Sequence, residues 1–133
     1  MRTAAPTAFP LLAGLLVVLI LPAGHCLAQG TFPSRPVTIV IPFAPGGGTE
    51  TETRLYAQRI SEAEGYTLLI ENRSGAAGTI GTAQVARAAP DGYTILQVVA
   101  GHTMAPASIA NLSYDPVKDF APISLMSKRP YIF

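Results

Sequence analysis

Tryptophan is absent from this sequence, cysteine occurs once, and charge is scarce. With Cys26 alone, no disulfide can form within the chain. Charged residues make up 13% and the formal net charge is +1, so no strongly basic face for nucleic acid is implied. The scarcity of charge does not mean disorder, because hydrophobic residues reach 49%, too many for an unfolded chain. At 133 residues the chain is one ordinary domain, or part of a larger one.

Much of the hydrophobicity lies at the start. Arg2 supplies a positive n-region, and Leu11 to Leu21, "LLAGLLVVLIL", is an apolar core of signal-peptide length. It falls short of the roughly 20 residues that a bilayer span needs. Pro22 and Gly24 then break the helix, and "CLAQG" offers small residues for a cut after Ala28. The expectation is therefore a signal peptide over 1–28, export to the periplasm, and no stable membrane insertion once it is removed. Two alternatives stay open: an uncleaved anchor, and a lipid on Cys26, against which the bulky His25 counts. A chain starting at Gln29 has no cysteine and a formal charge near zero.

The rest reads as strand–helix–strand–helix–strand. "VTIVIPF" (37–43) is β-branched and almost continuously apolar, as expected of a strand covered on both faces of a parallel sheet. A helix is expected over 49–65, with Tyr56, Ile60 and Ala63 on its apolar face beside Ala57, and Gly65 as its stop. "YTLLIE" (66–71) is a second strand, "NRSGAAGTIG" (72–81) a glycine-rich turn, and "TAQVARAA" (82–89) a short helix. "PDGY" (90–93) is a turn and "TILQVVA" (94–100) a third strand. A loop over 101–106 follows, and "ASIANL" could add a helical turn. Asp115-Pro116 is a helix start in type, and "APISLM" (121–126) is a candidate fourth strand. The order indicates an α/β fold with a parallel sheet and flanking helices.

In such folds ligands sit at the carboxyl ends of the strands. Three loops fall there: 43–50, 72–81 and 100–106. The first two lead into helices, whose starts present unpaired N–H groups and partial positive charge. Glycines let an anion reach those groups, so a small carboxylate is the natural occupant. A phosphate loop is unsupported because no Lys follows the glycines. A dinucleotide fingerprint is broken: Gly46 and Gly48 fit, the third position is Thr51, and Glu71 would be the ribose acid. Alternatively the glycines only make tight turns.

Catalytic constellations are thin. After Ala28 there is one histidine, His102, in the third loop; it could touch a ligand or be an ordinary loop residue. Ser74 lacks the context of a nucleophile elbow, and no cluster has metal-ligand spacing. Asp115, Lys118 and Asp119 fit capping or solvated charges. Arg54, Arg59 and Arg73 could pair a substrate acid, although exposed helix charge is the default for the first two.

Three stretches carry a family resemblance: "FPSRPVTIVIPFAPGGGT", "ENRSGAAGTIGTAQVARAAPDGYTIL" and "YDPVKDFAPISL". In this order, from about Phe32 to Met126, the chain resembles the Bug family, the exported solute receptors of tripartite tricarboxylate transporters. The resemblance implies a periplasmic-binding-protein-like fold of two α/β domains with a ligand cleft between them. It implies capture of small carboxylates or related organic acids for membrane permease subunits, or for sensing, without catalysis, cofactor or metal. By position, the ligand carboxylate would be held by the loop Phe43, Ala44, Pro45, Gly46, Gly47, Gly48, Thr49 and Glu50. The second holding loop would be Gly75, Ala76, Ala77, Gly78, Thr79, Ile80 and Gly81. Gly101, His102 and Thr103 would line the same cleft.

Three departures from the family pattern stand out. Glu50 replaces the usual Asp, "TETETR" replaces apolar first helical turns, and Glu64 stands where a Leu-like residue is usual. Glu50 and Glu52 are expected to oppose polyanionic ligands. The family's chain is more than twice as long, so residues 29–133 are expected to be an incomplete N-terminal α/β domain of a two-domain receptor. Such a piece is expected to fold poorly and to bind no carboxylate at physiological concentration alone.

Overall fold

A computed structural model describes residues 31–128. The expected signal peptide over 1–28, and its cut after Ala28, lie outside the described residues. Three strands form one parallel sheet: β1 (Val37–Ile41), β2 (Leu68–Asn72) and β3 (Thr94–Leu96), in the order β2-β1-β3. Between them come α1 (Gly48–Glu64), a 3₁₀ turn over Ala76–Gly78, and α2 (Thr79–Ala86). Helix α3 (Gly101–Ser108) follows β3.

β1 is central because it is the most β-branched run, and a central strand must pair on both sides. Val37 pairs with Leu68 and Ile41 with Asn72 on one side, and Thr38 pairs with Thr94 and Val40 with Leu96 on the other. Val40 and Ile41 are fully buried. Truncating either would forfeit about 2–5 kcal/mol for an isoleucine and less for a valine.

The N-terminal edge of the sheet is closed by the lead-in and the 90–93 turn. The Phe32 ring packs on Tyr93 with centroids 5.0 Å apart, and the Arg35 guanidinium lies 3.9 Å over the Tyr93 ring. Arg35 also pairs with Asp91 at 3.0 Å, and Ser34 N–H donates to the Tyr93 hydroxyl at 2.9 Å. "FPSRP" and "DGY" therefore interlock at the end of the sheet remote from the glycine turns.

Several elements depart from the sequence reading. α1 buries Glu50, Thr53 and Ala57, whereas Ile60 is 42% exposed and Ala63 is exposed. Polar residues can occupy the buried stripe because each finds a local partner. Thr53 Oγ1 donates to the Thr49 carbonyl at 2.7 Å, and Glu50 is paired as described below. Gly65 ends the helix as expected, left-handed at φ 72, with its N–H on the Ser61 carbonyl.

α2 starts three residues earlier than expected, at Thr79, and stops at Ala86. β3 is shorter than expected, although Gln97 N–H still reaches the Val40 carbonyl at 2.9 Å. Residues 101–106 are not a loop but lie in α3. Its first turn is closed by His102 N–H on the Val99 carbonyl and Thr103 Oγ1 on the Ala100 carbonyl, both at 2.9 Å. Pro106 lacks an N–H to continue the ladder, and the helix ends two residues later.

Asp115 does cap, but it caps a turn and not a helix. Its carboxylate accepts the N–H groups of Val117 and Lys118 at 2.9 and 3.1 Å. Residues 121–128 form no strand. They are tied to α1 by the Tyr56 hydroxyl, which donates to the Met126 carbonyl at 2.9 Å.

Candidate functional site

Parallel register puts the carboxyl ends of β1, β2 and β3 at one edge, so the chain leaving each strand gathers there. A crevice of about 130 Å³ opens among these exits. Of the expected site residues, Phe43, Ala77, Gly78, Gly101 and His102 line it, joined by Tyr114. All three strand exits therefore contribute to one concavity.

The first exit is the glycine loop. Ala44, Pro45, Gly46, Gly47 and Gly48 are exposed and follow Phe43 directly, without lining the crevice. Gly47 is the N-cap of α1 and supplies no side-chain cap. The first N–H groups of a helix have no partner in the preceding turn. Those of Gly48 and Thr49 are such groups, while Glu50 and Thr51 N–H turn back to the Gly47 carbonyl at 3.1 and 3.2 Å.

Glu50 is 7% exposed, and its carboxylate accepts Gly46 N–H at 2.6 Å and the Arg54 Nε at 2.8 Å. The Gly46 N–H, then Arg54, hold the Glu50 carboxyl below its ordinary range, with Asn72 adding to the effect and desolvation opposing it. Asn72, at the end of β2, donates its side-chain N–H to the Phe43 carbonyl at 3.2 Å.

The second exit is unusual in its backbone. Ala76, Ala77 and Gly78 all have positive φ, at 45, 55 and 92. A left-handed alanine costs about 1–2 kcal/mol. Such strain persists only where surrounding structure enforces it. Here Gly78 packs closely on Pro42 and Phe43, the residues that leave β1. A Cβ on Gly78 would stand 3.2 Å from the Pro42 carbonyl oxygen and 3.6 Å from the Phe43 ring. Gly78 N–H bonds the Gly75 carbonyl at 2.9 Å, and Thr79 Oγ1 bonds that of Ala76 at 2.9 Å.

Gly81 has a packing role. It is buried, and a Cβ there would lie 2.6 Å from the Arg73 carbonyl oxygen. Gly75 is half-buried beneath the Ile80 side chain, which is itself 57% exposed. Thr103 is exposed on α3, away from the crevice.

His102 connects the third exit to the 114–120 turn. Its ring stacks on Tyr114 and meets Phe120 edge-on, with centroids 6.2 and 5.2 Å away. Its Nε2 donates to the Pro116 carbonyl at 3.2 Å, since a carbonyl oxygen only accepts. Glu71, the acid weighed for a dinucleotide ribose, is paired with Arg73. Among the described residues, no group of three or more His, Cys, Asp or Glu is placed to hold a metal ion.

Sequence reasoning missed Asn72 and Tyr114, and offered Arg54 to a substrate acid where the structure pairs it with Glu50. An Asn ending a strand before a glycine turn is a signal for the first. The Glu50–Arg54 pair is an i,i+4 spacing on one helix, whereas Tyr114 shows itself only once the elements are packed.

The model of the tripartite tricarboxylate transporter family receptor, TctC, matches residues 53–133. The chain belongs to this family. It is 43% identical over 119 residues to a UPF0065 protein of Agrobacterium vitis, covering 90% of this chain and 34% of that one. It is 32% identical over 111 residues to BugT of Bordetella pertussis, covering 80% of this chain and 33% of BugT.

Among solved structures, the periplasmic binding protein BugD is 49% identical with a TM-score of 0.66, covering 69% of this chain and 31% of BugD. MatC of Rhodopseudomonas palustris with bound malate is 44% identical with a TM-score of 0.67, covering 71% and 33%. The chain thus spans about a third of the length of the curated relatives it matches. Among the described residues no helix is long and apolar enough to cross a membrane.

Proposed function

We propose that this chain supplies the carboxylate-gripping wall of a periplasmic receptor that captures a small organic acid and presents it to the permease subunits of a tripartite tricarboxylate transporter. Export through the 1–28 segment and cleavage after Ala28 belong to the same proposal. The observation that carries it is geometric. Two glycine-rich turns leave adjacent parallel strands at one sheet edge, each opens a helix, and Gly78 of the second packs against Phe43 of the first. Backbone N–H groups at helix starts stabilise an anion without a counter-charged side chain.

The carboxylate would be held by the N–H groups of Gly47 and Gly48, with the Gly78–Thr79 turn, whose own N–H groups bond the Gly75 and Ala76 carbonyls, packed beside them and His102 and Gly101 lining the adjoining crevice. The action is binding without turnover. Malate bound to MatC, and adipate in a further R. palustris neighbour that is 40% identical, support a carboxylate of small size.

Calorimetric titration with malate, succinate and adipate tests the proposal, using the full-length protein as wild type and Gly78→Val. A valine at φ 92 with the Pro42 carbonyl oxygen 3.2 Å away forces the second turn off its place. Saturable binding by the wild type and a loss above tenfold in the variant, roughly 1.4 kcal/mol, are expected. Unchanged affinity in a folded variant rejects the site.

A further inference from the structure

A negative side chain at the start of α1 stands to repel a ligand anion, yet the Glu50 carboxylate is turned back into the protein. One oxygen accepts Gly46 N–H at 2.6 Å, and the other receives the Arg54 Nε and Nη2 at 2.8 and 2.5 Å. Asn72, beside it, holds the Phe43 carbonyl at 3.2 Å. The glycine loop is therefore pinned at two points, Phe43 from β2 and Gly46 from α1. Gly47 and Gly48 lie immediately beyond the second pin.

A run of three glycines loses more backbone freedom on ordering than any other sequence. Ordering it before the ligand arrives removes that cost from the binding step. The charge needed to do so would oppose an anionic ligand, and Arg54 neutralises it at contact distance. Gly46 N–H, which the sequence alone offers as a ligand donor, is already taken.

We propose that Glu50 is a positioning residue that orders the glycine loop for a ligand carboxylate, and that Arg54 masks its charge so that dianions are admitted. This rests on the carboxylate reading above. Positioning depends on an acceptor at Gly46 N–H, and admission of dianions depends on the Arg54 charge, so the two parts separate experimentally.

The test uses the full-length protein with succinate as dianion and butyrate as monoanion. Three variants are made: Glu50→Met, which has no acceptor; Glu50→Gln, which keeps one without the charge; and Arg54→Met. The Gly46 amide proton should resonate at low field in the wild type and in Glu50→Gln, and move upfield in Glu50→Met. Butyrate affinity should fall about fivefold or more in Glu50→Met and stay within about twofold in Glu50→Gln. Arg54→Met should weaken succinate roughly threefold more than butyrate, because each extra ligand charge then meets an unmasked carboxylate.

Unchanged butyrate affinity in Glu50→Met, or an equal loss in Glu50→Gln, overturns the positioning role. Equal effects of Arg54→Met on both acids overturn the masking. If the wild type binds neither acid, the carboxylate reading falls and the ligand part of this proposal with it. The Gly46 resonance still decides whether Glu50 holds the loop.

Discussion

Gly81 and Ala77 show that small residues in one turn do opposite jobs. Gly81 is needed for what it lacks: a Cβ would meet the Arg73 carbonyl oxygen at 2.6 Å and the Pro42 Cα at 3.1 Å, both backbone atoms that cannot step aside alone. Gly81→Ala should destabilise the fold by about 1–3 kcal/mol, the usual cost of overpacking. Ala77 carries a Cβ where the backbone, at φ 55, favours none. Ala77→Gly relieves about 1–2 kcal/mol of strain against a smaller loss of unfolded-state restriction, so stability should not fall. Thermal unfolding of the two variants checks both statements. A destabilised Ala77→Gly would mean that the turn is not strained. At this scale the close approaches at Gly78 and Gly81 are to Pro42 and Arg73, whereas the sequence reading assigned the glycines to an anion. It could not tell which approach is made by a neighbouring strand and which is left for a ligand.

At the scale of elements, β1, α1 and β2 were legible because β-branched runs, a 17-residue polar helix and its Gly65 stop are local signals. Gly101 and Pro106 hid α3, since both residue types punctuate loops, yet each is tolerated in a single short helix of this kind. Apolar spacing pointed to Ile60 on the inner face of α1. The buried stripe instead follows Thr53 and Glu50, whose partners lie within one turn; the Glu50–Arg54 spacing is visible in the sequence, but not that it lets the carboxylate be buried.

Asp115 was legible as a cap, but it caps the turn that carries Tyr114 and Phe120 to His102. The N–H groups of Val117 and Lys118, with the Lys118 ammonium, hold its folded-state pKa below the usual carboxylate range, and desolvation opposes them. Asp119 faces the same turn, its carboxylate accepting Asp115 N–H at 2.7 Å. A depressed carboxyl stabilises the fold above its unfolded value, near 4, and that contribution disappears as pH falls through the folded value. The unfolding midpoint of the wild type should therefore drop below about pH 4. Asp115→Asn should be less stable at neutral pH and show a shallower acid decline. Parallel curves for the two proteins would exclude the cap as the source.

At the scale of the whole molecule, the sheet separates two roles. Its N-terminal edge is closed by Phe32, Arg35 and Tyr93, and its C-terminal edge gathers the glycine turns and His102. The central claim is that the latter edge grips a carboxylate through backbone N–H groups. The most direct measurement is an amide NMR titration of the full-length protein with malate. Saturable shifts concentrated in Gly47 and Gly48, with smaller ones in Gly78, Thr79 and around His102, are the predicted result. Saturable shifts confined to the outer face of α1 or to the Phe32–Tyr93 edge, with those four amides unmoved, would contradict it.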